Sequence, residues 1–302
     1  MRVRAWGACA SLWRVAILLL DGYSLFFRAF HALPEMNTSA GQPTNALYGF
    51  SVLVLKLLRE ERPVAVALAR DLPGKTFRHE QYDDYKAGRP RLAPALVTQL
   101  EHFDELSQAF GFPSVGAPGF EADDVLATLA TRHAASGERV VIVSGDRDLL
   151  QLVDDNTEVL FVGQRGKAPV RYDRTAVQAR FGVSPEQLPS YVALVGDGSD
   201  NIPKVKGIGP AKARALISRF GTIADLIEGL NTVEPRLRTL LSSHEDQLRQ
   251  SEWLARLRRD VPLPDIEPAP FTHAARARAR ELFEAWEFKS LLPRLAALPL
   301  QA

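Results

Sequence analysis

Nine acidic side chains fall where they can meet. Aliphatic runs that read as buried strands end in aspartate three times: Val15–Leu20 before Asp21, Val64–Ala69 before Arg70 and Asp71, and Val140–Val143 before Ser144, Gly145 and Asp146. Asp148 follows Asp146 by two residues, Glu121, Asp123 and Asp124 lie in GFEADD, and Asp197 and Asp200 lie in GDGSDN. In an open α/β sheet the carboxyl ends of the strands border one crevice, so these acids can converge there. Converged carboxylates repel by roughly 4 kcal/mol per close pair at an effective dielectric near 20. Such a cluster calls for cations. Oxygen-only ligation selects hard ions, Mg²⁺ or Mn²⁺ rather than zinc. Two such ions roughly 4 Å apart can activate a water and stabilise the leaving oxygen of a phosphodiester. The expected chemistry is phosphoryl transfer to water. Each acidic group also has a plainer explanation, since acids are favoured in a first helical turn and order loops; five such groups at element ends together argue for the metal site.

Two basic segments point to a polyanionic substrate. Lys75–Arg91 sets Lys75, Arg78, Lys86, Arg89 and Arg91 among Phe77, Tyr82 and Tyr85, a mixture that suits a single strand, because cations hold phosphates while rings stack on bases. A solvated amphipathic helix is the competing interpretation, since Glu80, Asp83 and Asp84 share the segment. Val205–Ala213, VKGIGPAKA, has the form of a helix–hairpin–helix turn. Gly207 and Gly209 permit close backbone approach there, and amides at the following helix start can bind phosphate. Lys204, Lys206, Lys212, Arg214 and Arg219 lie between Ile202 and Phe220 with no acid among them.

Composition bounds the class. The chain of 302 residues is 46% hydrophobic and 24% charged, ordinary for a globular protein of about two domains. Cys9 is its one cysteine, which rules out an internal disulfide and fits a reducing cytoplasm. The six histidines are scattered and form no metal-binding pair, and no Gly-x-x-x-x-Gly-Lys-Ser/Thr loop occurs. Val15–Leu20 is too short to span a bilayer. Residues 1–13 read as an extension rather than a signal peptide, because Arg14 interrupts the apolar stretch. Net charge is +1, yet setting aside the nine clustered acids leaves 27 acids against 37 Lys and Arg. That remaining surface can attract a polyanion.

The elements that must position these groups divide near residue 175. Before it, short apolar strands alternate with amphipathic stretches at Asn45–Arg59, Ala95–Phe110 and Ala122–Ala135, which predicts an α/β fold with a mainly parallel sheet flanked by helices. Beyond residue 185 strand signals vanish. Pro262–Pro270 reads as an extended connector before a last helix carrying Arg276, Arg278 and Arg280. The predicted organisation is an extension over 1–13, an α/β domain over 14–175 with an arch at about 72–115, a helical domain over 176–296 with its hairpin turn within 197–220, and a tail at 297–302.

The ordered set DGYSLFFRAFHAL, DLPGKTFRHEQYDDYKAGR, GFEADDVLA, SGDRDLLQL and GDGSDNIPKVKGIGPAKA resembles the 5′ nuclease (flap endonuclease) family, in particular the 5′→3′ exonuclease domain of bacterial DNA polymerase I and its stand-alone relatives. It covers about residues 15–295. The resemblance implies a PIN- or resolvase-like α/β fold with a helical arch, and cleavage of 5′ flaps, overhangs and nicks in DNA without sequence preference. It also implies two Mg²⁺ or Mn²⁺ ions, K⁺ at the hairpin turn, and a monomeric bacterial cytoplasmic protein associated with the nucleoid. Asp21, Asp71, Glu121, Asp123 and Asp124 match the family's first metal cluster, and Asp146, Asp148, Asp197 and Asp200 the second. Arg78 and Lys86 match residues that contact the scissile phosphate. Tyr85 sits where a ring stacks on the displaced base, with Arg89 beside it in the arch. Lys204, Lys206, Gly207, Gly209 and Lys212 fall in the turn that grips duplex. Arg70 departs from the apolar or aromatic residue usual before the second aspartate. No polymerase sequence follows Ala302, which fits a stand-alone protein or an excised domain. A PIN-type ribonuclease and a non-catalytic DNA-structure-binding factor are the alternatives.

Overall fold

The computed structural model describes residues 16–163 and 168–300; the predicted extension over 1–13 lies outside them. Six strands, β1 (Ala16–Asp21), β2 (Ala65–Ala69), β3 (Ser114–Val115), β4 (Arg139–Ser144), β5 (Thr157–Phe161) and β6 (Val170–Tyr172), form one sheet. Their order is β3-β2-β1-β4-β5-β6, parallel throughout except for β6, which runs antiparallel to β5. The strands read as unbroken aliphatic runs because both faces are covered. Ile17 and Leu19 of β1 join Val140 and Ile142 in one core, whereas Leu18 and Leu20 join Val141 and Val143 in the other. Each of these side chains withdrawn from water contributes roughly 1.5–3 kcal/mol.

Helices α1 (Gly22–Ala32), α2 (Asn45–Glu61), α3 (Phe77–Gln81), α4 (Pro94–Leu100), α5 (Phe103–Phe110) and α6 (Ala122–Ala135) belong to the sheet half of the chain. The helical part follows with α7 (Arg174–Phe181), α8 (Leu188–Val195), α9 (Pro210–Phe220), α10 (Ile223–Glu228), α11 (Pro235–Ser242) and α12 (Glu245–Ala255). An extended stretch leads from there to α13 (His273–Ala285) and α14 (Leu292–Ala296).

Three features differ from expectation. The stretch 95–110 is two helices, because His102 leaves helical geometry (φ −95°, ψ 2°) while its ring bonds Gln42 and Glu105. The basic segment 75–91 is helical only over α3. Tyr82 turns extended at φ −148°, and Lys86 and Gly88 take positive φ. Finally, the chain returns to its beginning. Ala269 pairs with Val66 on the β2 edge, and Phe271, Ala275, Ala279 and Phe283 enter the core built by α1, α2 and α5.

β1 lies between β2 and β4, so the strand order reverses at its carboxyl end. In open α/β sheets that switch point is where a crevice opens. Gly22 lets the chain leave β1 tightly there: a Cβ would lie 2.8 Å from Ala69 O and 2.6 Å from Phe103 Cζ.

Candidate active site

Asp21 ends β1, and β4 runs beside it with Leu20 opposite Val143. Ser144 therefore stands next to Asp21, and its hydroxyl donates to Asp21 Oδ2 while accepting from Asp146 N at 2.8 Å. Asp21 is 3% exposed. Burial raises its pKa, the Ser144 hydroxyl pulls it down, and Asp146 and Asp71 raise it again, to about 7. Asp123 and Asp148 keep some solvent contact, but both are pushed well up from the ordinary carboxylate range. Burial leads in each case. Asp146 and Asp21 add repulsion at Asp123; Asp146, Asp200 and Asp197 do so at Asp148. Asp71, two residues past β2, opens to solvent and accepts from Ala122 N at 2.9 Å at the start of α6. Asp21, Asp71 and Asp123 of the first predicted cluster thus lie close enough to Asp146 and Asp148 of the second to share one crevice.

Positions on α6 sort the GFEADD acids. Glu121 caps the helix, Asp123 points into the crevice, and Asp124 turns inward to 0% exposure. Asp124 accepts from Arg78 Nη1 at 2.7 Å and Nη2 at 2.8 Å, and from Arg258 N at 2.9 Å. Arg78 also donates to Glu121 Oε2 at 2.9 Å, Leu254 O at 2.9 Å and Arg256 O at 3.0 Å, and is 1% exposed. These placements correct two expectations. Arg78 has its donors saturated inside the protein, where no phosphate reaches it, and Asp124 serves as its counter-ion rather than facing an ion. The pair ties α3 and the end of α12 to α6.

The rest of the basic segment lies on the acids. Lys86 Nζ sits 2.5 Å from Glu121 Oε1 and 3.6 Å from Asp200 Oδ2, and Arg89 Nη2 lies 2.7 Å from Asp200 Oδ1. Tyr85, expected to present its ring to a base, is 3% exposed instead, and its hydroxyl bridges Glu121 Oε2 and Asp200 Oδ2 at 2.9 Å each. Burial disfavours the charge on Lys86, but Glu121, Asp200 and Asp123 outweigh it and raise the pKa. Glu121 is raised by burial but lowered overall by Lys86 and Arg78. Asp197 accepts from Ser199 N and Oγ at 2.7 and 2.6 Å. In this arrangement no three acidic or histidine side chains among the described residues stand at metal-ligating spacing.

Two contributors escaped the sequence reading. Ser144 is buried between the clusters. Arg28, on α1 two turns beyond Asp21, donates to Gly145 O and to Gly163 O at 3.4 Å, and lies close enough to Asp146 and Asp21 to feel their charge. The motif DGYSLFFRAF carried that signal, because a residue seven after Asp21 returns to the same helix face. Arg70, the departure from pattern, leans away to Asp104 on α5 at 3.4 Å, and β2 keeps its register through Ala69.

Farther along, residues 196–209 join α8 to α9, the last of them, 203–209, forming the hairpin turn. Val205 and Ile208 are buried and anchor the turn, while Lys204, Lys206, Gly207, Gly209 and Lys212 face outward. Gly207 takes φ +96°, which a side chain would strain; Gly209 caps α9 with open space where a Cβ would be. Lys212 Nζ donates to Gly207 O at 3.3 Å.

Residues 16–182 match the family described as 5′-3′ exonuclease, N-terminal resolvase-like domain, and residues 183–277 the 5′-3′ exonuclease, C-terminal SAM fold. DNA polymerase I of Mycobacterium tuberculosis (strain ATCC 25618 / H37Rv) is 39% identical over 287 residues, which cover 92% of this chain and 31% of the polymerase. The thermostable DNA polymerase I of Thermus aquaticus is 40% identical over 278 residues, covering 91% and 32%. The chain thus spans about a third of the polymerases it matches. Among solved structures, T5 5′-exonuclease with bound divalent metal ions (zinc) superposes with a TM-score of 0.65 at 21% identity, covering 94% of this chain and 99% of that one. The catalytic core of Rad2 in complex with DNA substrate gives 0.62 at 17%, covering 95% and 92%. The two matches abut at residue 182 and together take in the sheet, its acidic crevice and the hairpin turn, so the chain belongs to the 5′-3′ exonuclease family.

Proposed function

We propose that the chain is a structure-specific 5′ nuclease that hydrolyses DNA phosphodiesters at 5′ ends and flaps, with the acidic crevice as its catalytic centre. The observation that carries this reading is the crowding of Asp21, Asp123, Asp146 and Asp148 at the switch point, where burial and mutual repulsion raise the proton affinity of Asp21, Asp123 and Asp148. An all-oxygen, multiply charged donor set of this kind fits hard divalent ions, Mg²⁺ or Mn²⁺. Asp21, Asp71, Glu121 and Asp123 would hold one ion, and Asp146, Asp148, Asp197 and Asp200 the other. Such ions supply an activated water and charge stabilisation at the phosphate.

The chain's own groups do the remainder. Lys204, Lys206 and the amides around Gly207 and Gly209 grip the duplex backbone, where K⁺ would add a further link, and Arg28 and Lys86 bring positive charge toward the phosphate at the crevice. Phosphate contacts position the DNA without base readout. We place the protein in the bacterial cytoplasm, acting as a monomer in primer or flap removal and repair. No helix among the described residues is long and apolar enough to cross a membrane.

A 5′-labelled flap duplex incubated with Mg²⁺, Mn²⁺ or EDTA tests the reading. Release of the arm near the junction is expected with either ion and not with EDTA. Asp148→Ala should slow cleavage by about a thousandfold, which is ~4 kcal/mol of barrier, while flap binding persists. Normal cleavage by that variant would refute the assignment, and preference for an RNA flap would favour a ribonuclease.

A further inference from the structure

Residues 82–89 are seated on the acids by more contacts than any one role requires. Asn201, in the GDGSDN loop, donates through Nδ2 to Asp84 O at 2.9 Å and Ala87 O at 2.8 Å. Lys86 N donates to Asp200 O at 3.2 Å. Lys86 takes φ +53°, a left-handed conformation uncommon for a lysine, and Asn201 takes φ +57° opposite it. Backbone of this kind persists where surrounding contacts over-determine it, and it concentrates at switch regions. The result is that Lys86 and Tyr85 engage both Glu121 oxygens, while Arg89, Tyr85 and Lys86 engage both Asp200 oxygens. Among the described residues, no side-chain ion pair reaches Asp21, Asp123, Asp146 or Asp148.

We infer that residues 82–89 form an internal latch whose Lys86 and Arg89 stand in for divalent ions at Glu121 and Asp200, so that seating of the segment and ion binding by those two carboxylates exclude one another. A hard divalent ion takes a carboxylate oxygen at roughly 2.1–2.6 Å, and an ammonium 2.5 Å from Glu121 Oε1 both fills that approach and repels the ion. DNA supplies the release. A phosphate in the crevice offers Lys86 and Arg89 an alternative partner, which frees Glu121 Oε1 and Asp200 to complete the ion sites while Arg78 keeps Glu121 Oε2. Substrate and ions then favour each other's binding. This inference rests on the nuclease reading for the identity of the ions.

The test omits DNA and cleavage. Mn²⁺ is titrated calorimetrically into the full chain, its Lys86→Gln variant and its Asn201→Gly variant, the last of which keeps the left-handed backbone and removes only the two hydrogen bonds to the segment. Both variants should bind Mn²⁺ at least roughly fivefold tighter than the parent. Amide hydrogen exchange over residues 82–88 of the parent should accelerate when Mn²⁺ is added. Equal or weaker Mn²⁺ binding in both variants beside measurable binding by the parent overturns the latch alone, as does slower exchange on adding Mn²⁺. No Mn²⁺ binding by any of the three overturns the latch and the metal reading together.

Discussion

Asp21 holds its proton to about pH 7 because water is excluded from it and like charges face it. A carboxyl whose folded pKa is raised binds protons more tightly in the folded than in the unfolded state. Its contribution is fully present below the unfolded value near 4 and is lost as pH rises through about 7. Three units at 1.36 kcal/mol each give an upper figure of ~4 kcal/mol for this group. Asp123 and Asp148 shift in the same direction. Glu121 is lowered and acts only below its ordinary range, and His79, lowered by burial, opposes weakly from a partly solvated position. In EDTA the melting temperature should therefore fall from pH 5.5 to pH 8. Millimolar Mg²⁺ should restore it more at pH 8 than at pH 5.5, since ions and protons compete for the same oxygens. A melting temperature that stays level or rises in EDTA would contradict the crowding. Asp21 was legible because an acid ending an aliphatic run has a fixed place in an α/β sheet. Arg78 was not. A basic residue among aromatics reads as exposed, and only the meeting of Leu254 and Arg256 at the end of α12 with Glu121 and Asp124 at the start of α6 buries it.

At the scale of elements, the hairpin turn followed its pattern closely. Small residues fall where backbone must be bare, apolar Val205 and Ile208 turn inward, and lysines turn out. On the proposed reading, Lys204 and Lys206 meet phosphates rather than bases. Lys206→Ala should weaken duplex binding about equally across DNA sequences and lower the slope of log affinity against log salt by about one. A salt slope unchanged in that variant would mean the turn only joins α8 to α9. The basic segment 75–91 was less legible. Its basic and aromatic residues were visible, but whether they stand away from the acids or lie on them depends on Asn201 and Asp200, more than a hundred residues later. Local composition carries no such long-range pairing. Likewise the break between α4 and α5 depends on Gln42 reaching His102, which a period of 3.6 cannot reveal.

At the scale of the whole molecule, the segment from Ala269 onward closes the sheet half. A boundary near residue 175 describes where strands give way to helices, yet the segment from Ala269 onward completes the core of the first half. Phe283 is fully buried, with its ring 6.0 Å from Phe110 and 5.9 Å from Phe288. Arg278 Nε donates to Gln108 O at 3.2 Å along the same contact. The α5 helix in turn carries Asp104, which pairs with Arg70 next to Asp71, so α13 supports one bank of the crevice through α5. The sequence announced a helix carrying Arg276, Arg278 and Arg280 but neither its buried face nor what that face covers, because the partner lies about 170 residues earlier. Phe283→Ala should cost about 3–5 kcal/mol. Because that ring sits in the same core as β1 and β4, the loss should lower the urea midpoint of the whole sheet domain in one transition, read by far-ultraviolet circular dichroism and by protease resistance of residues 16–160 alike. If α13 were merely an appended helix, the substitution would free the chain's end for proteolysis while the sheet domain unfolded at its original midpoint.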